Sequence, residues 1–239
     1  MSINRAFCTG DIHGSLSRIK TLCEQENTTK NDYLVICGDL GLNYFLDERD
    51  AHVKNKLAKM PITIIGIHGN HEERAWNIPS YKRVYNEELR CYTWIEPNRP
   101  NIIFLEDGIF YLKDRKCLCL GGAYSIDKYY RLYRGAGRWF ESEQMTREEK
   151  DKILEILEKE NSFDYIFSHT VPLKFERELE ELFYLGVNQD EVDKSMEQFL
   201  DIVEDKITYK HWFFGHYHDS FDLTDKVTIL YHLVIELNL

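Results

Sequence analysis

Residues 6–14 read AFCTGDIHG, and this stretch decides the fold because an apolar run ends there at a glycine followed by polar side chains. The same unit returns at residues 33–41, YLVICGDLG, and at residues 62–72, ITIIGIHGNHE. Helical periodicity follows the first two units. Strands that alternate with helices predict an α/β sheet covered on both faces, with ligands gathered outside the carboxyl ends of the strands.

The rest of the chain continues this pattern. Thr146 and Glu149 form a predicted capping box, in which each side chain bonds the other residue's backbone amide, and this box begins a helix that runs to about residue 160. Other helices are predicted at residues 16–23, 47–59, 176–185 and 190–205. Further strands are predicted within residues 102–120, at 165–167, at 211–214 and, as closing antiparallel strands, at 227–237. Because no linker or repeat interrupts the chain, we predict one domain, 1–239.

Composition argues against a membrane protein. Of the 239 residues, 43% are hydrophobic and 13% aromatic, and no window approaches the roughly 18 consecutive apolar residues that a membrane span needs. The amino-terminal segment does not resemble a secretory signal, so we expect a cytoplasmic location. The six cysteines form no C-x-x-C pair. Cys8, Cys37, Cys117 and Cys119 lie in apolar runs, and we expect them in the core as free thiols.

The charge distribution limits the range of partners. A formal net charge of −11 disfavours long duplex nucleic acid. Residues 113–138 are an exception, with seven basic and two acidic side chains and thus a local charge of +5. Here Arg131, Arg134 and Arg138 follow Tyr124 and lie among other aromatic residues. Arginine binds phosphate through paired hydrogen bonds and tyrosine stacks on bases, which predicts substrate binding by this group; the alternative is an ordinary solvated face.

Seven polar residues at the strand ends form a set of metal donors. They comprise two carboxylates, one amide oxygen and four imidazoles: Asp11, His13, Asp39, Asn70, His169, His216 and His218. This set has too much oxygen for a structural zinc site and too much histidine for calcium, but it suits manganese, iron or zinc in a hydrolytic site. Seven ligands exceed the needs of one ion. A shared carboxylate would hold two ions about 3.5–4 Å apart.

The order of the motifs, Asp-x-His, Gly-Asp, Gly-Asn-His-Glu, Ser-His and Gly-His-x-His, resembles that of the calcineurin-like metallophosphoesterases. The resemblance covers residues 11–218, and residues 121–125, GGAYS, look like the central segment of general bacterial and phage members. A looser similarity connects that segment to RNA lariat debranching enzymes. The family resemblance implies a four-layer α/β/β/α sandwich with two mixed sheets and a dimetal site at the carboxyl ends of the strands.

The resemblance also implies a role for each matching residue. One ion would be held by Asp11, His13 and His218, the other by Asn70, His169 and His216, with Asp39 bridging both. His71 would be the general acid at the leaving oxygen, and a metal-bridging hydroxide would be the nucleophile. The implied cofactors are two divalent transition metal ions, with Mn²⁺ expected first and Fe or Zn as alternatives.

These roles predict a metal-dependent hydrolase of phosphate mono- or diesters. Nucleotides and short nucleic acids are among the candidate substrates. One alternative is a nuclease or RNA-processing phosphodiesterase. A serine/threonine protein phosphatase is disfavoured, because residues 38–41 read GDLG and lack the Asp-Arg pair of that branch. A metal-retaining scaffold without catalysis is disfavoured because it has no use for His71.

Other polar residues near the motifs are given no place in the metal site. His52, His68, His211 and His232 match no motif, and His68 is expected to be a hydrogen-bonded core residue. Glu72 has two open interpretations, as a residue that orients a ligand or as one that favours the start of a following helix. The sequence leaves the natural substrate, the native metal and the oligomeric state open.

Overall fold

The computed structural model describes residues 3–135, 137–182 and 191–239. Its strands form two mixed sheets stacked face to face, and helices cover the outer face of each. This is the α/β/β/α sandwich that the family resemblance implied. In the described ranges, no helix is long and apolar enough to span a membrane.

The first sheet contains seven strands in the order β13-β1-β2-β3-β6-β5-β4. Strands β1, β2, β3 and β6 are parallel, and β13, β5 and β4 are antiparallel to their neighbours. The bounds are β1 Ala6–Thr9, β2 Tyr33–Ile36, β3 Thr63–Gly66, β4 Lys82–Asn86, β5 Cys91–Ile95, β6 Ile102–Leu105 and β13 Val234–Leu237.

The second sheet contains six strands in the order β11-β12-β10-β9-β8-β7. Strands β8, β9, β10 and β12 are parallel, and β7 and β11 are antiparallel to their neighbours. The bounds are β7 Gly108–Leu112, β8 Arg115–Leu120, β9 Ser162–Ser168, β10 Thr208–Phe214, β11 Phe221–Thr224 and β12 Val227–Ile229.

Side chains of successive strand residues point to opposite faces, which gives each central strand two buried sides. In β1, Ala6 and Cys8 belong to the core between the sheets, whereas Phe7 packs beneath the helices. The helices are α1 Ser17–Glu26 and α2 Glu48–Leu57 on the first sheet, α4 Arg147–Leu157, α5 Leu173–Leu182 and α6 Ser195–Lys206 on the second, and α3 Lys128–Arg134, which has no buried residue.

Several predicted features are confirmed. The capping box is present, with Thr146 accepting from the Glu149 amide and Glu149 bonding the Thr146 amide. The four cysteines in apolar runs are buried and free. Of the helix predicted at 176–185, the part after residue 182 lies outside the described residues, as does residue 190 of the next predicted helix. That helix, α6, begins at Ser195 instead.

Two features differ from the prediction. The strands β4 and β5 form a hairpin that was not predicted, because their side chains are mostly exposed or half-buried and β4 begins with the charged residues Lys82 and Arg83. The strands predicted at 227–237 belong to different sheets: β13 pairs antiparallel with β1, whereas β12 pairs antiparallel with β11 but parallel with β10.

Candidate metal centre and catalytic site

Loops after five parallel strands meet at one end of the sandwich. They follow β1, β2 and β3 of the first sheet and β9 and β10 of the second, and they carry all five motifs. The loops are hydrogen-bonded to one another: the amides of Ile12 and His13 donate to the Asp39 carbonyl, at 3.2 and 2.9 Å. The His216 amide donates to Asp11 Oδ1 at 3.0 Å. Residues distant in sequence are thereby fixed side by side.

Asp11, His13 and His218 form the first donor group. The two Nε2 atoms of the histidines lie 3.0 Å apart, and the Asp11 Oδ2 atom lies 3.1 Å from His218 Nε2 and 3.8 Å from His13 Nε2. Asp11 Oδ2 is buried and accepts no hydrogen bond from the described residues. Ligands bound at about 2.0–2.2 Å and at right angles lie about 3 Å apart, so this group fits a transition metal ion.

Asp39, Asn70 and His169 form the second group. His169 Nδ1 donates to the Cys37 carbonyl at 2.8 Å, which leaves Nε2 with a lone pair. That Nε2 faces Asn70 Oδ1 at 2.7 Å and Asp39 Oδ1 at 3.6 Å. In the neutral tautomer that has its proton on Nδ1, all three of these atoms are acceptors, and a cation would satisfy them. The ring of His216 lies 5.0 Å from that of His169.

Asp39 lies between the two groups. Its Oδ1 faces His169, as above, and its Oδ2 lies 4.0 Å from His13 Nε2. Burial raises the pKa of the Asp39 carboxyl. The imidazoles of His169, His71 and His13 lower it by a larger amount, so that the net pKa is about 2. Burial also lowers the pKa of the His216 imidazole well below its ordinary value. A charged carboxylate and a neutral imidazole are the protonation states that metal binding requires.

Three glycines allow the donors to approach the loops closely. A Cβ atom at any of them would overlap a donor side chain, so these positions exclude larger residues. The overlaps are Gly38 with His169 Nδ1 at 2.0 Å, Gly69 with Asp39 Oδ1 at 2.0 Å, and Gly215 with Asp11 Oδ1 at 2.2 Å.

Four of the seven donor residues have left-handed backbone conformations. The φ angles are 44° at His13, 47° at Asp39, 69° at His216 and 55° at His218. Non-glycine residues adopt this region at a cost of about 1–3 kcal/mol each and keep it where surrounding contacts enforce it. The inter-loop hydrogen bonds described above involve three of these residues, His13, Asp39 and His216, and help to hold their backbones in this conformation.

Comparison with known proteins decides the family. The family model for calcineurin-like phosphoesterases matches residues 5–220. This chain belongs to that family. It is therefore a phosphoesterase of the class that uses divalent metal ions, and the resemblance inferred from the motifs is confirmed. The solved structure of the phosphopantetheinyl hydrolase PptH from Mycobacterium tuberculosis is similar at 12% identity, with a TM-score of 0.46 over 95% of this chain and 88% of that chain. The comparison with curated proteins found no significant match.

His71 lies at the edge of the donor groups of this phosphoesterase. Its Nε2 is 3.3 Å from Asn70 Nδ2, its ring is 5.9 Å from that of His13, and its amide donates to Asp39 Oδ1 at 2.9 Å. Burial lowers the pKa of the His71 imidazole, and the nearby charge of Arg131 lowers it further. The residue is thus placed beside the donor groups.

Of the predicted substrate-binding residues, Arg131 lies near enough to His71 for its charge to lower the pKa of that imidazole. Arg131 Nε donates to Asp127 Oδ2 at 2.7 Å, and its Nη1 donates to Tyr44 Oη at 2.9 Å and to the Arg138 carbonyl at 3.2 Å. The side chains of Arg134 and Arg138 are exposed. Tyr124 is buried, with its ring 5.6 Å from Lys128 Nζ.

Residues that support the donors were not found from sequence. Ser125 Oγ accepts from Asn70 Nδ2 at 2.9 Å, and the Ser125 amide donates to Glu143 Oε2 at 3.2 Å. The sequence signal for Ser125 was its place in the glycine-glycine segment. The Cys37 carbonyl could not be recognised from the sequence, because every residue has a backbone carbonyl.

Glu72 lies beneath the loop that contains Asp39. Its Oε1 accepts from the Leu40 amide at 3.2 Å, and a short 3₁₀ turn at Ala75–Asn77 follows it in place of an α-helix. Burial and the charge of Asp39 raise the pKa of the Glu72 carboxyl to about 8. Of the two interpretations open for this residue, the structure favours support of the Asp39 loop.

His68 is buried as predicted, but the expectation of a hydrogen bond is wrong. Neither ring nitrogen has a partner among the described residues, and the nearest carboxylate oxygen, Asp107 Oδ2, lies 3.9 Å from Nδ1. The reason is steric, because the ring packs against the backbone of Gly121, where a Cβ atom would lie 2.3 Å from Nδ1.

Proposed function

We propose that this phosphoesterase hydrolyses phosphate mono- or diesters at a dinuclear centre. One ion is assigned to Asp11, His13 and His218, the other to Asn70, His169 and His216, with Asp39 shared. The observation that carries the proposal is the pair of donor groups with Asp39 between them, whose two oxygens face different groups. The mixture of carboxylate, amide and imidazole suits Mn²⁺ best, with Fe and Zn as alternatives.

When bound, two divalent ions supply a water molecule of lowered pKa as nucleophile and neutralise charge on the phosphoryl oxygens. The chain's own residues orient the substrate and move the proton. His71, beside both groups, donates a proton to the leaving oxygen. Arg131, held by Asp127 and Tyr44, binds a phosphoryl oxygen through a free N–H group.

One experiment tests the metal dependence. Chelator-treated protein should lose hydrolysis of p-nitrophenyl phosphate and its bis ester, and Mn²⁺ should restore it. Asp39→Ala should lose both bound metal and activity, whereas Asp114→Ala, which removes a carboxylate that is 98% exposed, should keep both. Full activity of the chelated protein would refute the proposal. Two bound ions without turnover of any ester would indicate a scaffold.

A nuclease or RNA-processing activity is the second candidate, and the exposed face of α3 favours it. Tyr129, Tyr130 and Tyr133 are 59, 61 and 83% exposed, and the rings of Tyr129 and Tyr133 stack at 6.2 Å. Exposed aromatic rings beside arginines bind single-stranded nucleic acid by stacking. Labelled short oligonucleotides should then be cleaved faster than a long duplex. Turnover restricted to mononucleotides or phosphopeptides would exclude this activity.

A further inference from the structure

A cavity of about 800 Å³ lies between α1 and the carboxyl-terminal segment 231–236, and it opens beside the first donor group. Asp11 and His13 line it together with residues of β1, α1 and β13. Its volume lies within the range of about 300–1,000 Å³ that small-molecule sites occupy. The cavity is therefore large enough for the part of a substrate that extends beyond the reacting phosphate.

The end of the cavity near the donors is suited to an anion. Arg18 lines this end and uses Nη1 to donate to Thr9 Oγ1 at 2.8 Å and to the Gly10 carbonyl at 3.1 Å. Within the described chain its Nε and Nη2 donate to no protein atom, and no carboxylate lies within 4.0 Å of it. The first turn of α1 has no acidic residue and no side-chain cap, so its partial positive charge adds to that of Arg18.

Aromatic and apolar side chains form the walls. The ring of Tyr231 stacks on that of His218 at 4.7 Å and 20°, and the His232 ring lies 4.2 Å from Tyr231. The wall of the cavity is thus continuous with a proposed metal ligand. The apolar lining consists of Phe7, Ile12, Leu22, Leu233 and Val234. These surfaces suit a flat organic group.

The opposite end of the cavity has the reverse polarity. Gln25, Glu26 and Glu236 line it, and Glu26 accepts from Arg5 Nη1 at 3.1 Å. Carboxylates repel phosphate but accept hydrogen bonds from the N–H groups of a nucleobase. The polarity therefore orients a ligand with its anionic part toward Arg18 and its donor groups toward the acidic end.

We propose that this cavity binds the nucleoside of a nucleotide substrate whose second phosphate, beyond the one that reacts, faces Arg18. This proposal rests on the proposed function of the adjoining metal centre. It assigns substrate selection to α1 and the carboxyl-terminal segment, whereas His71 and α3 do not line the cavity. A nucleotide with phosphates at both the 5′ and 3′ positions has the required chemistry.

The test compares two chromogenic substrates with the Mn²⁺-loaded enzyme. Thymidine 5′-(p-nitrophenyl phosphate) and its 3′-phosphorylated form share a leaving group and differ in the second phosphate alone. We expect kcat/KM to favour the 3′-phosphorylated substrate by about 10-fold or more. Arg18→Gln should abolish that preference. Lys20→Gln, which removes a charge that is 69% exposed on the same helix, should retain it.

A second variant tests whether the cavity is occupied by substrate, independently of the charge of Arg18. Thr21 is exposed and lines the cavity, so Thr21→Trp fills space with little effect on the core. It should raise KM for both thymidine substrates more than for bis-p-nitrophenyl phosphate. Equal KM changes for all three substrates, or equal losses from Arg18→Gln on both thymidine substrates, would overturn the proposal and indicate a structural role.

A binding measurement distinguishes failure of this inference from failure of the proposed function. If the Mn²⁺-loaded protein hydrolyses none of these esters, the proposed function fails, and calorimetric titration with thymidine 3′,5′-bisphosphate decides the inference instead. Binding that weakens about 10-fold in Arg18→Gln and is unchanged in Lys20→Gln supports the cavity as a nucleotide site. Absence of binding, or equal affinity in all three proteins, overturns it.

Discussion

Glu72→Gln should make the free energy of unfolding less sensitive to alkaline pH. The Glu72 carboxyl is 1% exposed, and its Oε2 has no hydrogen-bond partner among the described residues. Its pKa is about 8 in the folded chain, against 4.5 for an ordinary glutamate. Between these two values the unfolded chain has released the proton and the folded chain has kept it, so stability falls as pH rises through this window.

The magnitude follows from the width of the window. A full pH unit inside it costs about 1.4 kcal/mol, and less near its two ends, where the carboxyl is partly titrated. Moving from about pH 5 to pH 8 should therefore destabilise the wild type through this group by about 3.5 kcal/mol. Glutamine accepts the same hydrogen bond from the Leu40 amide but has no proton to release. The stability difference between Glu72→Gln and wild type should therefore shift by that amount in favour of the variant.

Urea denaturation at pH 5 and pH 8, followed by circular dichroism, measures this difference. Chelator-treated protein is used, because metal affinity itself depends on pH. Glu24→Gln is the control, since its side chain is 66% exposed, and its stability difference from wild type should not change with pH. A Glu72→Gln difference that is also the same at both pH values would refute a protonated Glu72 in the folded protein.

Three further predictions concern the catalytic site. His71→Ala should retain bound metal while turnover falls by about 10²–10⁴-fold, and more for alkyl esters than for p-nitrophenyl esters, because a poor leaving group needs the proton; equal losses on both, measured by steady-state kinetics, would contradict the assigned role. Gly69→Ala should lower metal content, measured by atomic emission, because its Cβ atom would lie 2.0 Å from Asp39 Oδ1; normal content would show that the loop can move. Arg131→Gln should raise KM for phosphoesters more than the exposed Arg134→Gln, and equal effects would remove Arg131 from the site.

Strand positions were predictable where both faces of a strand are buried. The apolar runs of β1, β2 and β3 are unbroken because one face packs between the sheets and the other beneath helices. The β4–β5 hairpin lies at the edge of the first sheet and has neither an unbroken apolar run nor regular alternation. Alternation identified the closing strands, but it carries no information on which sheet each strand joins.

The polar residues that meet at the strand ends could be picked out from the sequence because each motif is local. Their supports were not, since they depend on how loops from different parts of the chain pack. Asn70 and Ser125 are 55 residues apart, and His169 and Cys37 are 132 apart. Which of the three arginines lies near His71 could be seen only in the three-dimensional structure. Arg131 forms an ion pair with Asp127, the residue that precedes α3 and lies one helical turn away, whereas Arg134 is exposed.

The protonation states around the proposed centre combine to favour an anionic substrate. With two divalent ions bound, the carboxylates of Asp11 and Asp39 neutralise half of the four positive charges, and the histidines coordinate as neutral ligands. These charges leave a net charge of about +2 on the two ions and their ligands, and this charge attracts the phosphate. An ionised Glu72, buried close to Asp39, would reduce that charge by one. In the metal-free chain the raised pKa of Glu72 allows a carboxyl group to hold the Asp39 loop through the Leu40 amide without placing a second negative charge beside Asp39.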